Sequence, residues 1–351
     1  MTRHDLTRIF AYRLTADAYR RLLICCAAML TVGTVAACMA ISLKYPQQTT
    51  GSALLLTVPL QRRDRQWDVP AQPATEKPSE SATEDPDFIP EGAKPVKTLT
   101  MIPSSSSEHY GNVYIHNEAG RKYDAEQLLE EPPDIKISTS GEVQVLIYHT
   151  HGTEGYNDEG KGYYGDGFYK TRSKDTSDNV VHVGDILAEE LEKHGIGVLH
   201  DRTMYDDPKY TGAYLLSGAA VKENLEKYPS IVLVIDLHRD TIITSAGTKY
   251  RPVTDTEYGQ TAQIMLISAA GKTADPNPRW KENLRTALAL QKSAAELYPG
   301  LMRPLLMRNS MYNQHLSTGA FLAEIGTCGN TMTEAENAAK CLAKAIIEAF
   351  S

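Results

Sequence analysis

The sequence predicts an α/β fold, in which a mostly parallel sheet covered by helices on both faces is preceded by one transmembrane helix and a disordered linker. Three observations carry this. Apolar runs of strand length alternate with amphipathic runs of helix length after Gly141. A charge-free apolar stretch occupies residues 22–43. Between the two lies a stretch rich in Pro, Glu, Ser, Thr and Asp. With 351 residues, 42% of them hydrophobic, the chain has room for an anchor, a tether and a globular domain with a real core. The expected boundaries are 1–21, an N-terminal cytoplasmic segment; 22–43, the anchor; 44–108, the linker; and 109–351, the globular domain.

Arg3, Arg8, Arg13, Arg20 and Arg21 precede the apolar run, and only Lys44 closely follows it. That asymmetry holds the N-terminus in the cytoplasm and sends the rest across the membrane as a single-pass protein. The run is long for a cleaved signal. Val35-Ala36-Ala37-Cys38 has the small-residue pattern of a lipoprotein signal, but Met39, Ala40 and Ile41 keep the run apolar beyond the cysteine. The following segment PAQPATEKPSESATEDPD buries too little apolar surface to fold and reads as a tether.

A short strand and turn begin at Asn112, and a helical turn at 124–131 is ended by Pro132 and Pro133. VQVLIYH, from Val143, is a buried strand. An amphipathic helix spans 180–194 with Gly195 as its cap. GIGVLH is a strand, 213–228 a helix, and SIVLVIDLH, from Ser230, a strongly apolar strand. QIMLIS is the next strand and 280–298 a long helix. Strands at 303–308 and 320–325 and a closing helix at 333–350 complete the pattern. Cys328 and Cys341 are expected to remain unpaired thiols, one packed against a helix.

The net charge of −8 gives no basic signature for nucleic acid. No Walker A, G-x-G-x-x-G or G-x-S-x-G motif is present, and no activating pattern surrounds Cys328. Chemistry in open parallel sheets collects at the carboxyl ends of strands. There the sequence places His149-Thr150-His151-Gly152-Thr153-Glu154, then Asp236-Leu237-His238-Arg239-Asp240, then Glu324. Two histidines and a carboxylate suit zinc with a fourth position left for water. His151, Glu154 and His238 are the expected ligands, and Glu324 the base that takes the water's proton. His149 is an alternative to His151, because residues two apart in a strand share a side. Asn179, Asp178 and Asp175 are alternatives to Glu154, although a residue just before a helix also serves as its cap. Arg239 and Asp240 are placed to orient His238 or, for Arg239, to bind a substrate carboxylate. Asn313 and Gln314 are candidates for substrate contact or for loop hydrogen bonding. His182, His194, His200 and His315 read as surface or packing residues.

The motifs LIYHTHGTEGY, NVVHVGDILAEEL, GIGVLHDRT and VIDLHRD, and the long stretch from YPGLMRPLL to EAENAA, resemble the stage II sporulation protein P (SpoIIP) family of cell-wall hydrolases over about two-thirds of the chain. That family is similar to the zinc N-acetylmuramoyl-L-alanine amidases, with their phosphorylase/hydrolase-like α/β fold. The resemblance implies cleavage of the amide between N-acetylmuramic acid and L-alanine in peptidoglycan, with endopeptidase activity on cross-linked stem peptides. It also implies SpoIID-like and SpoIIM-like partners during engulfment, in the space outside the mother-cell membrane. The amidase G-H-G-G turn matches His151-Gly152, its central histidine His238, and its catalytic glutamate Glu324. The amidases take a ligand Glu from just before the first helix; SKDTSDNVV has none here, which leaves Glu154 leading and Asn179 open. Two rival readings are a silent wall-binding module and a zinc carboxypeptidase acting on stem peptides.

Overall fold

A computed structural model describes residues 89–103, 108–131, 133–157, 161–165 and 172–351. The expected cytoplasmic segment, the anchor and most of the linker lie outside the described residues. Among the described residues no helix is long and apolar enough to cross a membrane.

The described chain begins with β1 (Lys94–Leu99), β2 (Glu108–Tyr110) and β3 (Val113–Asn117), then the short helix α1 (Ala125–Glu130), which Asp124 caps. β4 (Val143–Tyr148), β5 (Tyr163–Tyr164), α2 (Val180–Lys193), β6 (Gly197–His200), α3 (Ala213–Lys227) and β7 (Leu233–Asp240) follow. Next come β8 (Lys249–Thr256), β9 (Gly259–Ala262), β10 (Ile264–Ala269), and the paired β11 (Gly271–Lys272) and β12 (Asp275–Pro276). α4 (Trp280–Leu297), β13 (Leu305–Arg308), β14 (Ala320–Thr327) and α5 (Met332–Phe350) close the fold.

Eight strands form the main sheet in the order β2-β3-β13-β10-β14-β7-β4-β6. Only the β2–β3 and β10–β14 pairs are antiparallel, so the sheet is mostly parallel, as expected. Alternation sorts its side chains onto two faces. Val145 and Ile147 of β4, and Leu233, Ile235 and Leu237 of β7, join the core built with α2, α4 and α5. Leu146, Tyr148 and Val234 turn the other way and pack with Val221 of α3. Helices thus cover both faces, and each fully buried aliphatic side chain contributes about 1.5–3 kcal/mol.

The linker expectation requires a correction. Residues 94–99 form β1, in a second sheet of order β5-β1-β8-β9. β1 runs parallel to β8, with Val96 opposite Lys249. Composition hid this strand because Val96 is its only buried residue. The β8–β9 hairpin was also unforeseen, since its Lys, Arg, Asp and Thr residues break the apolar runs that mark strands. Cys328 and Cys341 are free and buried, and Cys341 lies within α5, as expected.

α5 starts from a capping box: the Thr331 hydroxyl accepts a hydrogen bond from the Glu334 amide at 3.3 Å, and the Glu334 carboxylate accepts one from the Thr331 amide at 3.2 Å. Thr331→Ala should therefore lower stability by about 1 kcal/mol, read as a lower urea midpoint with an unchanged slope.

Candidate metal centre

The alternation that buries Val234 against α3 also puts Asp236 and His238 on that face, beyond the apolar cluster. β14 pairs with β7 so that Glu324 lies opposite His238. β4 ends at Tyr148, opposite Asp236, and the chain turns through 149–154 over the end of β7. Three strand ends therefore deliver polar groups to one rim of the sheet.

His151, Glu154 and His238 converge there, all buried, with one potential ligand atom from each lying within 4.8 Å of the others. His238 Nδ1 is 3.2 Å from Glu154 Oε2, and His151 Nδ1 is 3.7 Å from Glu154 Oε1. His238 Nε2 lies 2.8 Å from Asp236 Oδ1 but out of line for a hydrogen bond. Glu324 is half-buried, and among the described residues its shielded Oε2 has no hydrogen-bond partner. A donor set of two imidazoles and a carboxylate, with an orphaned carboxylate oxygen nearby, fits a zinc ion and the water it activates.

The charges follow from burial and neighbours. Burial and the adjacent His238 push His151 down to about 3, which keeps its ring neutral and able to ligate. Burial opposes ionisation of Glu154, yet His238, Arg239 and His151 together hold its carboxyl well below the usual range. Burial likewise opposes a charge on His238, and Asp236 and Glu154 overcome it and raise its pKa. Burial, reinforced by Asp240, pushes Glu324 up to about 8. A dication beside Glu324 would favour its ionised form.

Most of the other expected site residues are committed elsewhere. His149 leaves the group: its Nδ1 donates to the Leu237 carbonyl at 2.9 Å and its Nε2 meets His200 Nε2 at 2.8 Å. β4 ends before His149, so the two-residue alternation that paired it with His151 does not apply. Asn179 caps α2, accepting from the Val181 amide at 2.9 Å and donating to the Ser173 carbonyl at 3.0 Å. Asp178 and Asp175 likewise stay out of the cluster. Arg239 is not turned to a substrate; it is buried, its amide donates to Glu154 Oε2 at 3.2 Å and its Nε to the Gly155 carbonyl at 2.8 Å. Asp240 accepts from Arg303 Nη2 at 2.7 Å rather than orienting His238. Asn313 donates to the Tyr214 carbonyl at 3.0 Å and to Ser217 Oγ at 3.1 Å. Gln314 is buried with both ends of its amide on β10, accepting from the Ala269 amide and donating to the Ile267 carbonyl. Both therefore serve as loop fasteners.

Sequence reasoning passed over Asp236, the loop between β6 and α3, and Arg172. Asp236 accepts from the Thr150 amide at 2.9 Å and from its hydroxyl at 2.8 Å while facing His238. A lone acid in the apolar run VLVIDL was the available signal. Arg172 and that loop carried none, because their contacts are distant in sequence.

The family model of stage II sporulation protein P (SpoIIP) matches residues 71–347. The stage II sporulation protein P of Bacillus subtilis (strain 168) is 28% identical over 232 residues, covering 63% of this chain and 54% of the relative. The chain thus spans about half the length of the curated relative it matches. Among solved structures, an N-acetylmuramoyl-L-alanine amidase from Clostridium difficile 630 is similar over 60% of this chain and 97% of that chain, with 16% identity and a TM-score of 0.37. The CwlD amidase from Clostridioides difficile, solved in complex with the GerS lipoprotein, is similar over 59% and 98%, with 13% identity and a TM-score of 0.37.

Acid should unfold the metal-stripped chain. His151 and His149 resist protonation down to about 3, and burial with the Arg202 charge pushes His200 down to about 4. Unfolded, each takes its proton near 6.5. Their stabilisation is present above that value and is lost as pH falls. Three histidines outweigh Glu324, which already carries its proton when folded. With chelator present, stability should drop by at least ~1.4 kcal/mol per pH unit between 6.5 and 4.5. A flat urea midpoint across that range would contradict the histidine assignment.

Proposed function

The chain belongs to the stage II sporulation protein P family, and on that premise we propose that it is a zinc-dependent peptidoglycan hydrolase that cuts the amide between N-acetylmuramic acid and L-alanine. The observation that carries this reading is the buried convergence of His151, Glu154 and His238 beside the partnerless Glu324 oxygen. In it, neutral His151, the Glu154 carboxylate and His238 would hold the ion. His238 Nδ1 faces Glu154 at 3.2 Å, and the Asp236 carboxylate lies 2.8 Å from its other nitrogen. When bound, zinc supplies a Lewis acid that polarises the amide carbonyl and brings the pKa of water toward neutrality. Glu324 accepts the proton from the attacking water and returns it to the departing amine of L-alanine. Burial and Asp240 raise the carboxyl's affinity for the proton, which favours taking it from the water.

The proposal extends to the rest of the chain. Residues 22–43 anchor it with the N-terminus in the cytoplasm, and the tether carries the domain to septal peptidoglycan during engulfment, with SpoIID-like and SpoIIM-like partners. Endopeptidase activity on cross-linked stems is a second cut of the same chemistry, hydrolysis of an amide.

Glu324→Gln should lower muropeptide release by about 10²–10⁴-fold while bound zinc, measured by atomic emission, stays at wild-type level. His151→Ala and His238→Ala should lose the zinc itself. Mass spectra of digested peptidoglycan decide the bond: whole stem peptides released indicate the amidase cut, and shortened stems a carboxypeptidase. Undiminished release from metal-stripped protein would reject the proposal.

A further inference from the structure

The loop between β6 and α3 packs against the 151–154 turn residue by residue. Gly152 has no room for a side chain, since a Cβ there would lie 2.8 Å from Met204 Cγ and 3.0 Å from Met204 Cα. Thr153 is held by Asp206 twice, amide to Oδ1 at 3.1 Å and hydroxyl to Oδ2 at 2.5 Å. His151 stacks on Tyr210 with centroids 4.3 Å apart and planes 19° from parallel. Arg172 ties these contacts together. Its Nη1 donates to Asp206 Oδ2 at 2.5 Å and to Thr153 Oγ1 at 3.0 Å. Its Nη2 lies 3.7 Å from Glu154 Oε1, and its guanidinium sits over the Tyr210 ring at 4.8 Å. The Asp206 side chain is wholly shielded from solvent, and every one of these contacts on it is charge-assisted or made to the turn.

We propose that this loop is the positioning element of the metal centre, with Asp206 its anchor. Met204 sets the approach of the turn, Asp206 and Arg172 set the orientation of Glu154, and Tyr210 sets the plane of His151. Asp206 touches no ligand atom itself; it acts through Thr153 and Arg172. Removing it frees two residues of the ligand turn at once, so the ion loses pre-arranged donors rather than a donor. The inference rests on the metal reading of His151, Glu154 and His238.

The test is zinc affinity of the full chain, measured by competition with a chromogenic chelator, with circular dichroism confirming the fold. Asp206→Asn should bind zinc 10–100-fold more weakly. Tyr210→Leu, at a residue 46% exposed and so tolerant of change, should weaken binding in the same direction. Thr331→Ala, which removes a cap whose hydroxyl takes the Glu334 amide rather than any group of the 151–154 turn, should leave the affinity unchanged. If Asp206→Asn does not fold, Tyr210→Leu decides alone. Folded variants that bind zinc as tightly as wild type would overturn the proposal. A wild-type chain that takes up no zinc is a separate result, and it removes the metal reading itself.

Discussion

The site depends on one buried carboxylate. Glu154 is 3% exposed, and an isolated charge so placed would cost several kcal/mol. It is tolerated because His238, the Arg239 amide and the Arg172 guanidinium surround it. The same neighbours define where a cation can sit. Two histidines brought this close repel if both are charged, and the structure resolves the conflict by keeping His151 neutral and His238 paired to acids on both sides. A metal ion bound there would take over the role of the His238 proton.

The fold supplies this arrangement through strand register rather than through loops alone. With His238 opposite Glu324 and Asp236 opposite Tyr148, a two-residue alternation converts an apolar interior into a polar rim within one strand. A one-residue slip of β7 would bury His238 among the side chains of α2, α4 and α5. The long apolar faces against those helices make that slip costly, so the energetics of the core protect the chemistry of the rim.

Much of this was readable in the sequence, and the exceptions have physical reasons. The main strands and helices announce themselves because each buries a continuous apolar run. His151, Glu154, His238 and Glu324 stand out because polar residues directly follow such runs. His149 misled because strand alternation was carried one residue beyond the strand. Arg239, Asn313 and Gln314 looked available for substrate because sequence shows a side chain's type and not its commitments, and each is spent on backbone or neighbouring groups. β1 and the β8–β9 hairpin escaped because strand pairing in their small sheet needs backbone hydrogen bonds and few apolar residues. Asp206 and Arg172 join segments far apart in the chain, a relation no local pattern encodes.

Gln314 has a consequence of a different kind. Its side chain closes the end of β10 where β14 has run out, and it caps the Ala269 amide from 45 residues away. That amide is shielded from solvent only while the 309–319 segment stays docked. Its deuterium uptake therefore clocks the undocking of that segment, separately from the unfolding of the sheet to which it belongs.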